Sequence, residues 1–188
     1  MNIVRTIKIE TTDYQGKTAI IDGDRQISYG ELFANVDEAA VELKEHGIKP
    51  AQRVALLCGD SIDYIVVSLA VLSLQAVIVP VSSSLSGSEV DAVLEQIDVN
   101  FFIFDSAVCS RNDADRVFSC GVCEKEFFLY NRKAREQIAR DYYAMNPAFI
   151  RFSSGTTGTS KGVVLSHESI IQRTDAPDEN RIKAGFMA

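Results

Sequence analysis

The chain has 188 residues, 46% of them hydrophobic, with 26 Asp and Glu against 19 Lys and Arg and a formal net charge of −7. A chain of this length can bury roughly 70% of the surface it exposes when unfolded, and its acidic balance excludes a general nucleic-acid-binding role, which requires clustered Lys and Arg. Met1 to Glu10 lacks the basic segment and apolar run of a secretory signal, so a cytoplasmic location is expected.

In chain order, Thr18 to Asp22 and Gln26 to Ser28 flank Gly23-Asp24 and predict a hairpin. Glu31 to Glu45 places Leu32, Val36, Ala39, Ala40 and Leu43 on one helical face, and Gly47 is a C-terminal stop. A strand follows at 53–58, a helix at 61–75 and a strand at 77–81. The run from Tyr64 to Val81 is close to bilayer-spanning length. Ser61, Ser68 and Gln75, however, recur every seven residues as a polar stripe, and the run reads as a buried helix plus a β-branched strand. No integral membrane segment is expected.

A helix is predicted at 88–97, strands at 101–104 and 126–130, and a helix at 132–143. The polar stretch Asp105 to Cys123 reads as a surface excursion. Cys120 and Cys123 have redox-motif spacing without the βαβ context that activates such a thiol, and Cys58 and Cys109 read as packing thiols. A zinc site would need two further ligands, and His46 and His167 are the histidines available. Strands alternating with helices predict an α/β fold, a largely parallel sheet flanked by helices.

The most informative run is Ser153, Ser154, Gly155, Thr156, Thr157, Gly158, Thr159, Ser160 and Lys161, closed by Gly162. Apolar stretches on both sides, Ala148-Phe149-Ile150 with Phe152 and Gly162 to Leu165, read as strands. A glycine loop rich in hydroxyls lets N–H groups and side-chain oxygens converge on phosphate, and Lys161 adds a positive charge at its end. The plain alternative is a surface linker. Two other phosphate motifs fail. Counted from Gly155, a Walker A loop would need glycine at Ser160 and a hydroxyl at Gly162, and the glycine spacing does not fit GxGxxG.

The run resembles the phosphate-loop signature of the adenylate-forming, or AMP-binding, enzymes, departing from it at Ser160, where a proline is usual. Upstream, Ile27-Ser28-Tyr29-Gly30-Glu31-Leu32, Arg53 to Leu57 and Val79-Pro80-Val81 are similar to that family's opening segments. Gln75-Ala76 stands where an alanine-glycine pair is usual, and should tighten the turn it occupies. Gly162 to His167 resembles the strand and helix start after the loop, with Ser166 as N-cap. His167 is expected to serve packing or hydrogen bonding before catalysis.

The resemblance implies a partial N-terminal domain over 1–174, followed by a tail at 175–188 that is either truncated or non-native. It implies that Ser153 to Lys161 bind the triphosphate of ATP with Mg2+, and that the longer enzyme makes an acyl-adenylate from a carboxylic acid and passes it to CoA. The acyl pocket, adenine strand, magnesium-assisting glutamate, ribose aspartate and catalytic lysine of the family have no counterpart here, so no catalytic residue is assigned in this chain. The leading expectation is therefore an acyl-CoA synthetase fragment, inactive alone, with ATP and pyrophosphate as partners. The alternatives are a non-catalytic interaction module, self-associating through an exposed apolar face, and a piece of a peptide-synthetase adenylation domain. Which acid is activated stays open.

Overall fold

The computed structural model describes residues 1–110, 114–117, 124–132, 140–153 and 161–175; for Arg116, Val117, Phe152, Ser153, Lys161 and Asp175 it describes the backbone. The elements are α1 (Ile3–Glu10), a 3₁₀ turn (Thr12–Tyr14), β1 (Thr18–Asp22), β2 (Arg25–Ser28), α2 (Tyr29–Glu45), β3 (Arg53–Leu57), α3 (Ile62–Ser73) and β4 (Val77–Val81). There follow α4 (Gly87–Gln96), β5 (Phe101–Asp105), β6 (Asp115–Val117), β7 (Phe127–Asn131), α5 (Arg140–Ala144), β8 (Pro147–Ser153), β9 (Lys161–Ser166) and α6 (His167–Asp175).

β1 and β2 form the expected hairpin, closed by Gly23 at φ +59°. The other strands make one sheet in the order β6-β7-β5-β3-β4-β8-β9. Its centre, β5-β3-β4-β8, is parallel, and β6, β7 and β9 join antiparallel. Strands alternate their side chains between two faces. Val54, Leu56, Phe101 and Ile103 point into a core made with α1, α2 and α3, whereas Ala55, Leu57, Phe102 and Phe104 point into a second core under α4. The connections out of adjacent β3 and β4 thus run to opposite faces, which opens a crevice at their carboxyl ends, where such sheets bind ligands.

Two elements exceed the sequence reading. α1 was not expected, since Ile3, Val4, Ile7 and Ile9 are β-branched. It forms because the Asn2 carboxamide oxygen caps it, accepting from the N–H groups of Val4 (3.0 Å) and Arg5 (3.3 Å), and because Val4 is buried against the core. The Asn2 amide also donates to the Leu72 carbonyl at 2.7 Å, fixing α1 to the end of α3. β6 lies inside the stretch read as a polar excursion and pairs with β7. α2 begins earlier than expected because Ser28 and Glu31 form a reciprocal capping box. The helix expected at 132–143 is present as α5 at its end; 133–139 lie outside the described residues.

α2, α3 and α4 end alike. After α2 the Ile48 N–H bonds to the Leu43 carbonyl and Gly47 sits at φ +92°; after α3 the Ala76 N–H bonds to Val71 and Gln75 sits at φ +57°; after α4 the Val99 N–H bonds to Leu94 and Asp98 sits at φ +52°. These are Schellman ends, whose left-handed residue is usually glycine. The tight turn expected at Gln75-Ala76 is therefore built with a strained glutamine. Gln75 is exposed, so little packing is lost on removing its side chain. Gln75→Gly is expected to stabilise the fold by about 1 kcal/mol, read as a higher urea midpoint at unchanged slope.

Candidate functional site

β8 and β9 set the ends of the glycine loop. Their register pairs Phe149 with Leu165, Ile150 with Val164, Phe152 with Gly162 and Ser153 with Lys161. The run therefore begins at the carboxyl end of β8, the strand next to β4, and ends at the start of β9. β8 registers on β4 at Ile78↔Phe149, and Pro80, two residues on, has no N–H to offer either neighbour. Residues Ser154, Gly155, Thr156, Thr157, Gly158, Thr159 and Ser160 lie outside the described residues, as do the side chains of Ser153 and Lys161. Gly162 fits its place closely: a Cβ there would meet Ile150 Cγ2 at 3.3 Å.

Around this edge the sequence reading missed a charged cluster. The Lys125 ammonium donates to the Gly59 carbonyl at 3.2 Å and pairs with Asp105 Oδ2 at 3.3 Å. Arg25, on the hairpin, reaches Glu124 at 3.2 Å and the buried Asp63 at 3.8 Å, and Asp22 Oδ2 accepts the Ile62 N–H at 3.2 Å. Burial pushes the Asp63 carboxyl up, with Arg25 opposing it. The hairpin is thereby locked to the N-terminus of α3. On the β4 side, Ser82 and Ser84 hydroxyls lie 2.8 Å apart, and Ser86 caps α4 in a box with Glu89. Among the described residues no group of three His, Cys, Asp or Glu side chains could hold a metal, and no helix is long and apolar enough to cross a membrane.

Ser166 does cap α6, its hydroxyl accepting the Ser169 N–H at 3.1 Å. His167 is fully buried; its Nδ1 accepts the Ile3 N–H at 3.2 Å, and its Nε2 has no hydrogen-bond partner among the described residues. The hydrogen-bonding role expected of it is what the structure shows, with α1 as the partner. Burial holds the imidazole below its usual pKa, with Glu168 opposing. The unfolded chain therefore takes up a proton below about pH 6.5 that the folded chain refuses. Stability is full above that pH and falls as pH drops toward the folded pKa, by at most about 1.4 kcal/mol per unit. Urea midpoints for the wild type and His167→Gln should diverge in slope between pH 7.5 and 5.5.

Residues 8–184 match the AMP-binding enzyme family, so the chain belongs to it. The particular relatives follow from sequence and fold. Tenellin synthetase of Beauveria bassiana is 33% identical over 156 residues, covering 80% of this chain and 4% of that protein. The inhibitor-bound N-terminal domain of FACL13 from Mycobacterium tuberculosis superposes with a TM-score of 0.66 at 24% identity, over 90% of this chain and 45% of that one. The N-terminal subdomain of Klebsiella oxytoca NpsA gives 0.70 at 23%, over 91% and 43%. The chain thus spans under half the length of those two solved chains, whose α/β fold with a mixed sheet it shares.

Proposed function

We propose that this chain is the ATP-phosphate-binding portion of an adenylate-forming carboxylic acid ligase, in which Ser153 to Lys161 hold the β and γ phosphates of magnesium-ATP and the departing pyrophosphate. The observation that carries it is the position of that run: a hydroxyl-rich loop with one lysine, set between β8 and β9 on the carboxyl edge beside the β3–β4 crevice. Adenylation is an in-line attack of a carboxylate on the α-phosphate, so catalysis rests on positioning and charge stabilisation. This loop supplies the share of that work that falls on the leaving group. Magnesium travels with the nucleotide as part of the substrate.

CoA as the acyl acceptor, in a cytoplasmic acyl-CoA synthetase, is the finer reading. Its support is the Val81-Ser-Ser-Ser-Leu85 segment, together with the fold shared with a fatty acyl CoA synthetase of Mycobacterium tuberculosis; relatives that are hybrid polyketide and nonribosomal peptide synthetases keep a peptide-synthetase adenylation domain as the competitor. Titration calorimetry with magnesium-ATP and pyrophosphate, beside a carboxylate-dependent pyrophosphate-exchange assay, tests the core proposal. Binding without exchange is expected, and absence of binding would overturn it. A protein-binding role is a second reading, favoured by β9, an edge strand whose Val163 (49% exposed) and Val164 (37%) face solvent on opposite sides. Size-exclusion mass above that of one chain would support it, and a monomer would count against it.

A further inference from the structure

The cluster around Lys125 includes a thiol that phosphate binding does not use. Cys58 follows the last residue of β3, is 6% exposed, and lies 3.6 Å from Lys125 Nζ, which donates toward its Sγ. The ammonium is held in place from two other sides, by the Gly59 carbonyl at 3.2 Å and by Asp105 Oδ2 at 3.3 Å. Asp105 is itself fixed by the Ala107 N–H, which it accepts at 2.9 Å. Ser61 Oγ sits 4.0 Å from the sulfur. Three segments far apart in sequence thus meet at this nitrogen and sulfur: the end of β3, the end of β5 and the approach to β7.

We infer that Cys58 and Lys125 are the two ends of a reversible N–O–S bridge, formed by dioxygen, that staples the segment before β7 to the carboxyl end of β3. Nζ and Sγ are already oriented on each other, and one inserted oxygen atom spans them after a small closing movement. Low exposure leaves the thiol open to dioxygen and closed to bulky thiols, which disfavours mixed disulfides. The Cys58 thiol adds dioxygen to become an S-hydroperoxide. Asp105, acceptor of the Lys125 ion pair, takes one proton from the ammonium and frees the amine lone pair. That lone pair attacks the sulfur-bound oxygen, the O–O bond breaks, and the leaving hydroxide takes a proton from nitrogen as water. One thiol, one amine and one dioxygen give the bridge and one water. Sulfur and nitrogen each supply two of the four electrons. Two dithiol equivalents reverse the bridge to thiol, amine and water. Burial pushes the Cys58 thiol up, with Lys125 opposing, so the thiolate fraction is low and formation is slow.

The test keeps the purified chain under oxygen, alkylates the remaining thiols, and maps peptides without reductant beside an anaerobic control. The expected product is a linked pair of peptides containing Cys58 and Lys125, heavier than their sum by one oxygen less two hydrogens. Dithiothreitol should release it, and Cys58→Ser and Lys125→Arg, the latter preserving the charge, should not form it. The wild-type map decides even if a variant fails to fold. Cys58 recovered free, as a sulfinate or sulfonate, or in a disulfide, with Lys125 unlinked, would overturn the bridge. So would the same linked mass in Lys125→Arg.

Discussion

Replacing Phe104 by alanine is expected to destabilise the fold by about 3–5 kcal/mol, a large part of the roughly 5–15 kcal/mol available to a domain of this kind. Phe104 is 1% exposed in the centre of the core beneath α4, paired with Leu57 on β3 and with Phe128 on β7. Its ring lies 5.1 Å from that of Phe102, tilted by 33°, and 5.8 Å from that of Phe128, nearly stacked at 16°. Each such aromatic pair adds about 0.5–1.5 kcal/mol beyond simple burial, and the rigid strands on both sides limit collapse into the space left behind. The ring also sits one residue before Asp105, so its loss should loosen the strand end that pairs with Lys125. Urea unfolding measures the effect, with Phe104→Leu as the milder control at under about 1.5 kcal/mol. A loss below about 1 kcal/mol for alanine would contradict the close packing described for this face.

What the sequence made legible and what it hid divide along local and non-local lines. The short continuous apolar runs Val54 to Leu57 and Phe101 to Phe104, the seven-residue polar stripe through Ser61, Ser68 and Gln75, and Gly47 after α2 are local signals, and each marked its element. α1 is held by Asn2 reaching Leu72, seventy residues away, and by Ile3 reaching His167, 164 residues away. Neither partner leaves a trace near residue 3. The left-handed end at Asp98 was hidden because glycine, the usual sign of that conformation, is missing there; at Gln75-Ala76 the tight turn was expected, but not that Gln75 itself takes the left-handed conformation. Lys125 borders a stretch read as a solvated surface, and the antiparallel register of β5 and β7 carries it to Asp105 and Cys58. The run Ser153 to Lys161 was read from its order of hydroxyls, glycines and lysine and from its resemblance to a family motif; residues 154–160 lie outside the described residues, and the two flanking strands have the places that the apolar runs indicated.

Lys161→Ala is expected to weaken magnesium-ATP and pyrophosphate binding by about 10- to 150-fold, the equivalent of about 1.5–3 kcal/mol for charge-assisted bonds to phosphate. Lys161 is the one cation in the run Ser153 to Gly162, and its backbone pairs with Ser153 at the end of the β8–β9 ladder. The rest of the run offers neutral donors, so removing the lysine takes away its formal charge. Pyrophosphate should suffer at least as much as ATP, because the proposed contact is with the leaving group. Gly158→Val probes the other contribution, close approach of backbone N–H groups, and should weaken both ligands while leaving the lysine in place. Titration calorimetry gives the affinities, and thermal unfolding checks that both variants fold. If both bind like the wild type, the run is a linker. If Gly158→Val alone loses affinity, backbone amides hold the phosphates and Lys161 serves another group; loss in both is the outcome that fits a phosphate cradle built on this edge of the sheet.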